Sequence, residues 1–191
     1  MADIAFVLDD SGSVTRKNFN KIKRFAIDIV RSLKIGSNKV RVAVVTFSTR
    51  PLINFPLNRY YNKRSLIRAI HKIRYRRGGT NTHYALRTLR THVFRKRRGD
   101  RRHVPNIAIV LTDGKSSNTR AVIREAIKLK RAGVKMFSIG VGKRLRYSEL
   151  TAMASWPTYQ FRFVVKNFYA LRRIVYTVTK RTCKGMYMFD N

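Results

Sequence analysis

The fold is decided by residues 4–13, which read Ile4-Ala5-Phe6-Val7-Leu8-Asp9-Asp10-Ser11-Gly12-Ser13. A short apolar run that is bounded by a turn signal is typical of a strand covered on both faces. Open parallel sheets bind their ligands at the carboxyl ends of such strands. We therefore expect residues 4–8 to form a buried strand that delivers the following polar loop to a functional edge.

Oxygen-bearing side chains alternate with spacers in this loop, at Asp9, Ser11 and Ser13. Hard oxygen donors that turn toward one point suit Mg²⁺, Mn²⁺ or Ca²⁺. The same residue types also occur at helix N-termini, where Asp and Ser side chains accept hydrogen bonds from exposed amides. The motif alone leaves both interpretations open, a metal site and a helix cap.

Length and composition indicate one globular domain. A chain of 191 residues that is 44% hydrophobic can bury one substantial core. It has 43 Lys and Arg against 9 Asp and Glu, a formal net charge of +34, so it strongly attracts polyanions. Candidate partners of this kind are nucleic acid, acidic polysaccharide, acidic protein, anionic membrane and mineral.

Targeting and redox signals are few. No apolar run approaches the roughly 18 residues of a membrane span, so we expect none. We see no signal peptide, since Met1 and Ala2 lead directly into the first strand. The one cysteine, Cys183, is consistent with a buried small residue, a free thiol, or half of a disulfide whose partner lies in flanking sequence.

Strand and helix patterns alternate along the chain. Apolar runs predict strands over residues 4–8, 40–47, 52–55, 106–112, 134–141 and 159–165. Three- and four-residue spacing predicts helices over residues 15–35, 66–73, 85–93, 123–129, 150–153 and 168–178. A short turn joins strands 40–47 and 52–55, which should pair antiparallel. The pattern predicts an α/β fold, a doubly wound, mostly parallel sheet with one antiparallel edge strand and helices on both faces.

Two other loops are expected to place oxygen-bearing side chains at the same edge of the predicted sheet. Gly78-Gly79-Thr80 precedes a helix, and its paired glycines let the backbone approach closely while Thr80 offers a hydroxyl. Asp113 ends strand 106–112 in a carboxylate, as Asp9 ends the first strand. Three loops are therefore expected to converge on one ion.

In these segments, and in their order, the chain resembles the von Willebrand factor A domain family, which includes integrin inserted domains and the A domains of type VI collagen and matrilins. The landmarks are Asp-x-Ser-x-Ser from Asp9, then Thr80, then Thr-Asp-Gly around Asp113. The resemblance covers residues 3–183 as one A domain and leaves residues 184–191 as a short C-terminal tail. It implies a Rossmann-like sheet and a fragment of a larger protein that is secreted into the extracellular matrix.

The resemblance also implies a metal-ion-dependent adhesion site. There Ser11, Ser13 and Thr80 would contact one divalent cation, and Asp9 and Asp113 would bind it directly or through water. Mg²⁺ is the expected cation, with Mn²⁺ or Ca²⁺ as alternatives. A carboxylate from an acidic or collagen-like matrix protein would complete the coordination. A shell of hydroxyls and water agrees with this expectation, because it leaves the charge of the ion under-neutralised.

Four neighbouring residues are further candidates for contact with that ligand: Asp10, Asn81, His83 and Lys115. Three of the chain's nine acids fall at the predicted metal edge, which random placement would rarely bring about. Catalysis is not indicated. The sequence has no phosphate-binding glycine loop, its histidines show no zinc spacing, and no general base accompanies the metal motif.

The densest basic segments suggest an alternative function. The candidates for binding polyanions are Arg74, Arg76, Arg77, Arg95, Lys96, Arg97, Arg98, Arg101 and Arg102. No groove-reading or base-stacking motif accompanies them, so specific nucleic-acid recognition is not expected. The alternative is a basic structural matrix protein that holds glycosaminoglycan, acidic protein or carbonate mineral mainly by electrostatics, as in biomineralisation.

Overall fold

The computed structural model describes residues 1–185, with side chains to Cys183. Within that range six strands form one sheet: β1 Ala2–Asp9, β2 Val40–Phe47, β3 Pro51–Phe55, β4 Asn106–Thr112, β5 Lys135–Val141 and β6 Arg162–Val165. The α-helices of the same range are α1 Thr15–Ser32, α2 Lys63–His71, α3 Thr82–Thr88, α4 Thr119–Arg131, α5 Tyr147–Met153, α6 Thr158–Phe161 and α7 Leu171–Gly185. A π-helical turn, Leu89–Val93, extends α3, and a 3₁₀ helix, Lys96–Arg98, follows it.

The strands lie in the order β3-β2-β1-β4-β5-β6. β1 is central and pairs in parallel with β2 and β4, and β5 and β6 continue the parallel sheet beyond β4. β3 pairs antiparallel with β2 at the edge. The predicted doubly wound, mostly parallel sheet with one antiparallel edge strand is confirmed.

Side chains of β1 alternate between two apolar cores. Ile4, Phe6 and Leu8 belong to the core that α1, α2 and α7 close, and Ala5 and Val7 belong to the core under α3, α4 and α5. Full burial of one large apolar side chain stabilises a fold by roughly 1.5–3 kcal/mol. The uninterrupted apolar run of the first strand is therefore explained, because both of its faces are covered.

The long helix α1 buries the stripe that its spacing predicts. Phe19, Ile22, Phe25 and Ile29 are buried against the sheet. Lys23 is buried in the same helix, and its ammonium group donates to the carbonyls of His71 and Ile73, each at 3.0 Å. These bonds satisfy carbonyls at the C-terminal end of α2, and burial lowers the pKa of Lys23.

The last strand is shorter than the predicted range of 159–165. Residues Thr158–Phe161 form α6, and only Arg162–Val165 pair with β5. Phe161 packs its ring 4.8 Å from that of Phe137, while Tyr159 remains exposed. Tyr159 and Phe161, which were predicted to lie in the strand, thus lie on two sides of one helical turn.

The inner face of α4 differs from a simple apolar stripe. Ala126 and Leu129 are buried as their spacing predicts, but Ile127 is exposed and Glu125 lies inside. Glu125 accepts hydrogen bonds from Arg90 at 3.1 Å and from Lys128 at 3.3 Å. This ion pair makes a polar residue tolerable at an inward position, which hydrophobic spacing alone does not predict.

At the amino end of the sheet, Arg101 holds the buried carboxylate of Asp3. Its guanidinium lies 2.6 Å from Asp3 and also donates to the carbonyls of Ala2 at 3.0 Å and Lys39 at 2.9 Å. This contact corrects our expectation for Arg101, since its charge is engaged inside the protein. It also places the basic segment around it at the end of the sheet opposite to the carboxyl ends of β1 and β4.

The predicted tail of residues 184–191 falls largely outside the described residues. Residues 184 and 185 continue α7, and residues 186–191 are not described. The domain boundary after residue 183 therefore stays a prediction. In the described part of the chain, no helix combines the length and the apolar character needed to cross a membrane.

We expect Arg101→Met to lower the free energy of unfolding by about 3–5 kcal/mol, because it leaves the Asp3 carboxylate buried without its partner. Urea denaturation followed by circular dichroism measures the change. The control is Arg102→Met, which alters an exposed neighbour and should change stability by no more than about 0.5 kcal/mol. Equal stability of the two variants would contradict a structural role for Arg101.

Candidate metal centre

Three loops meet beyond the carboxyl ends of β1 and β4. Loop 1 is residues 10–14 after β1, loop 2 is residues 72–81 before α3, and loop 3 is residues 113–118 after β4. Loops 1 and 3 leave the sheet side by side because β1 and β4 are adjacent and parallel. Loop 2 is bound to loop 1, since the Gly12 amide donates to the Gly78 carbonyl at 2.8 Å.

Asp9 is fully buried where β1 ends. Its Oδ1 accepts from the Ser11 amide at 2.9 Å, and its Oδ2 accepts from the Thr112 hydroxyl at 2.6 Å. The first bond shapes loop 1, and the second ties loop 1 to the end of β4. None of the motif side chains caps helix α1, where the Asn18 amide donates instead to the Thr15 hydroxyl at 3.4 Å, so the helix-cap interpretation of this motif is wrong.

A chain of hydrogen bonds links the hydroxyls of loop 1 to the carboxylate of loop 3. Ser11 Oγ lies 3.1 Å from Ser13 Oγ, and Ser13 Oγ donates to Asp113 Oδ1 at 2.7 Å. Ser11 is buried, whereas Ser13 is exposed and Asp113 is half-buried. The oxygens of this chain therefore run from the interior toward the surface.

Thr80 of loop 2 reaches the same place. It lines a cleft of about 920 Å³ together with Ser13, Asp113 and further residues of loop 3, of α1 and of the chain around the carboxyl ends of β5 and β6: Asn18, Gly114, Lys115, Val141, Gly142, Lys143, Arg144, Lys166, Asn167 and Phe168. The Thr80 carbonyl accepts from the Ser117 amide at 3.0 Å, which joins loop 2 to loop 3. All three predicted loops thus converge at the floor of one cleft.

Burial raises the pKa of both carboxyl groups of the cluster. Burial raises the pKa of Asp9 to about 6, although hydrogen bonds from Ser11 and Thr112 oppose the rise. Burial also raises the pKa of Asp113, against the hydrogen bond from Ser13 and the positive charge of Arg144. A cation at this edge would favour the charged forms of both groups.

The donor set fits a hard divalent cation. Carboxylate and hydroxyl oxygens from Asp9, Ser11, Ser13, Thr80 and Asp113 are the ligand types that Mg²⁺, Mn²⁺ and Ca²⁺ take. Among residues 1–185 no group of three or more His, Cys, Asp or Glu side chains is placed to hold a metal. Any cation at this edge would therefore depend on hydroxyl oxygens as well as on the two carboxylates.

Asp10 does not face the cleft, which corrects our expectation of a ligand contact. Its carboxylate is fully buried and accepts two hydrogen bonds from Arg76, at 2.7 and 3.0 Å. Arg76 also donates to the Arg50 carbonyl at 3.0 Å. The charge of Arg76 is thus engaged in holding loop 2 against loop 1, so this residue is a poor candidate for polyanion binding.

Asn81 and His83 also lie away from the cleft lining. The Asn81 side chain donates to the Thr49 carbonyl at 2.9 Å and accepts from the Ser117 hydroxyl. His83 stacks beside Tyr84, and burial together with the charge of Arg124 lowers its pKa. Asn81 therefore joins loop 2 to neighbouring segments, and neither residue lines the cleft.

Lys115 is the fourth predicted contact, and it does line the cleft. Three cationic residues that sequence reasoning missed line it too: Lys143, Arg144 and Lys166. They are not consecutive with the motif residues and lie outside the basic segments that were selected from the sequence. Their common signal is position, because Lys143 and Lys166 each follow the carboxyl end of a strand.

Supporting residues were missed as well. The Tyr75 hydroxyl donates to the Ser11 carbonyl at 2.9 Å, and Glu149 accepts from the Ser116 amide at 3.1 Å. Nothing in the sequence near these residues links them to loops 1 and 3. Thr112 is different, because a hydroxyl directly before Asp113 could have been recognised as a partner for a neighbouring carboxylate.

Comparison with known proteins identifies the family. Residues 3–177 match the sequence profile of the von Willebrand factor type A domain. The chain therefore belongs to this family. It is 34% identical over 183 residues to the collagen alpha-1(XXI) chain of Xenopus laevis, which covers 95% of this chain and 18% of that protein. It is 33% identical over 181 residues to matrilin-1 of Gallus gallus, covering 95% of this chain and 36% of that protein.

The fold is also found in proximal thread matrix protein 1 from the mussel byssus. One structure of that protein has a TM-score of 0.89 and 29% identity, covering 95% of this chain and 47% of that one. Another, with a zinc-occupied MIDAS motif, has a TM-score of 0.87 and 34% identity, covering 95% and 46%. The resemblance to matrix-type A domains is confirmed, and the chain spans less than half the length of each of these relatives.

We expect Gly78→Ala to destabilise the protein by about 1–3 kcal/mol. Gly78 has a φ of +125°, and an added Cβ would lie 2.7 Å from Thr49 Oγ1. The matched control is Gly79→Ala, whose Cβ would meet the same atom at an ordinary 3.6 Å. Urea denaturation of both variants checks this expectation, and a loss at Gly79 as large as that at Gly78 would contradict it.

Proposed function

We propose that this chain is a divalent-cation-dependent adhesion module of an extracellular matrix protein. One cation would be held by Ser11, Ser13 and Thr80, with Asp9 and Asp113 bound directly or through water. Mg²⁺ is the proposed cation, and Mn²⁺ and Ca²⁺ are the alternatives. The observation that carries the proposal is the convergence of these five oxygen-bearing side chains at one end of the sheet.

Two further observations support a cation at this position. The similar mussel protein has a structure with a zinc-occupied MIDAS motif, at 34% identity over nearly the whole chain. The hydroxyl and carboxylate groups are also already directed toward one another, so little rearrangement of loops 1 and 3 is required. When bound, the cation supplies a positive centre for an anionic group of the partner.

The proposed partner is an acidic or collagen-like matrix protein that offers a carboxylate to the cation. The matrix relatives support secretion into the extracellular matrix, within a larger protein. We further propose that residues 3–183 form the A domain and that residues 184–191 form a short tail. The activity proposed is binding without catalysis, as suits a family that includes collagen and matrilin chains.

A second candidate function is electrostatic adsorption of polyanions or carbonate mineral. It is favoured by the exposed basic segment Lys96–Arg98, which lies at the end of the sheet opposite to the cleft. Arg95 and Arg102 extend this surface, and Arg74 and Arg77 are exposed on loop 2. Binding of this kind needs no cation, so a chelator separates the two functions.

Asp113→Asn tests the cation site. We expect it to weaken Mg²⁺ binding about 100-fold or more, because it removes a carboxylate from the proposed ligand set. Isothermal titration calorimetry measures the affinity, and Asp28→Asn, which removes the same charge from α1, is the control. Unchanged affinity in the Asp113 variant would refute the site.

A binding screen then tests the partner. Wild-type protein and the Asp113 variant would be captured on collagen, glycosaminoglycan and carbonate mineral, with Mg²⁺ or with EDTA. Adhesion through the cation predicts that EDTA and the substitution abolish collagen binding alike. Electrostatic adsorption predicts that neither EDTA nor the substitution changes binding, and that binding decreases steeply as the salt concentration is raised.

Ionic strength provides a further prediction. A net charge of +34 repels free cations, so metal affinity should increase several-fold as salt is raised from about 0.01 to 0.15 M and screens the field. Mg²⁺ titrations at several NaCl concentrations measure this dependence. Tighter binding at low salt would show that local carboxylates dominate over the net charge.

A further inference from the structure

Four cationic side chains line the cleft that contains the proposed cation site. These rim cations are Lys115 after β4, Lys143 and Arg144 after β5, and Lys166 after β6. They come from three separate loops, which the strand order β4-β5-β6 brings into one row. All four are exposed.

The rim cations differ from the cations that stabilise the fold. Asp3, Asp10, Asp28, Glu125 and Glu149 each pair with an Arg or Lys, but none of these ion pairs in the described chain involves a rim cation. Like charges that share a cleft repel one another and repel a bound cation. An anionic ligand that contacts several of them would relieve this repulsion.

The cleft is also larger than one carboxylate group requires. Its volume of about 920 Å³ lies at the upper end of the range for pockets that enclose a sizeable ligand. Its walls include the apolar residues Val141 and Phe168 and the amide side chains of Asn18 and Asn167. The Oδ1 atoms of Asn18 and Asn167 already accept hydrogen bonds within the protein, so their NH₂ groups are the donors that a peptide carbonyl would meet.

The lining favours a peptide over a polysaccharide. Phe168 is the one aromatic residue among the described residues that line the cleft, and it is only 9% exposed. Phe168 therefore presents little ring surface for stacking against a sugar. The contacts that remain are those of charged, hydroxyl and amide groups, which suit the carboxylates and amides of an acidic peptide.

We propose that the cleft recognises a peptide segment bearing several acidic side chains. One carboxylate would complete the shell of the cation, and others would pair with Lys115, Lys143, Arg144 and Lys166. This inference rests on the proposed function for its first contact and on the rim cations for the others. The protein would then select its partner by the number of acidic groups that the peptide carries, and not by one carboxylate alone.

The test compares two fluorescein-labelled Gly/Ser peptides of equal length, one with a single glutamate and one with several. Fluorescence anisotropy at physiological salt measures their affinity in Mg²⁺ and in EDTA. The combined variant Lys115→Ser, Lys143→Ser, Arg144→Ser and Lys166→Ser removes the rim charges. The matched control, Lys96→Ser, Arg97→Ser, Arg98→Ser and Arg102→Ser, removes as many charges at the opposite end of the sheet.

We expect wild-type protein to bind the multiply acidic peptide about tenfold or more tightly than the singly acidic one. The rim variant should lose this preference, and the control should keep it. Equal affinity for both peptides, or equal losses in both variants, would overturn the inference. A rim variant that loses a sulfated oligosaccharide but retains the acidic peptide would overturn it too, in favour of a polysaccharide.

The failure of the proposed function gives a different result. If wild-type protein binds no divalent cation in calorimetry, the cation site is refuted, whatever the peptides do. In that case the difference in affinity between the two peptides, measured in EDTA, still tests whether the rim cations recognise clustered acids. A preference that the rim variant abolishes supports recognition of clustered acids, and an absent preference refutes it.

Discussion

Both oxygens of the buried Asp9 carboxylate accept hydrogen bonds inside the protein, one from the Ser11 amide and one from the Thr112 hydroxyl. Asp9 can be buried this deeply because β1 is central in the sheet. A buried carboxylate needs hydrogen-bond partners, and the neighbouring strand β4 provides one. The two bonds of Asp9 orient loop 1 and join it to β4. Ser13 is then close enough to donate a hydrogen bond to Asp113, and this contact brings the side-chain oxygens of loops 1 and 3 together.

The few acids of this protein are distributed very differently from its many bases. Asp3 and Asp10 are buried and paired with arginines that link distant parts of the chain. Most cations face water, so net charge by itself explains general attraction to polyanions and no particular partner. Selectivity needs several cations at one place, and Lys115, Lys143, Arg144 and Lys166 line a single cleft.

Much of the fold could be predicted because its signals are local. The apolar run before Asp9, the helical spacing of α1 and the turn before Pro51 each lie within a few residues, and the elements they predict are present. The failures at charged positions involve longer-range contacts. The pair of Asp10 and Arg76 joins residues far apart in sequence, and Glu125 lies inside only because Arg90 meets it there.

The sequence by itself determined the alternation of strands and helices, the family, and the residues that were expected to converge near Asp9. Hydrophobic period and motif spacing carry that information, since they reflect which residues share a face. Only the tertiary structure decided which charges are engaged and which are free. It assigned Arg76 and Arg101 to buried acids, and none of the ion pairs in the described part of the chain includes a rim cation. The physical reason is that the partner of a charge is set by distance in space, which strand order and loop packing determine.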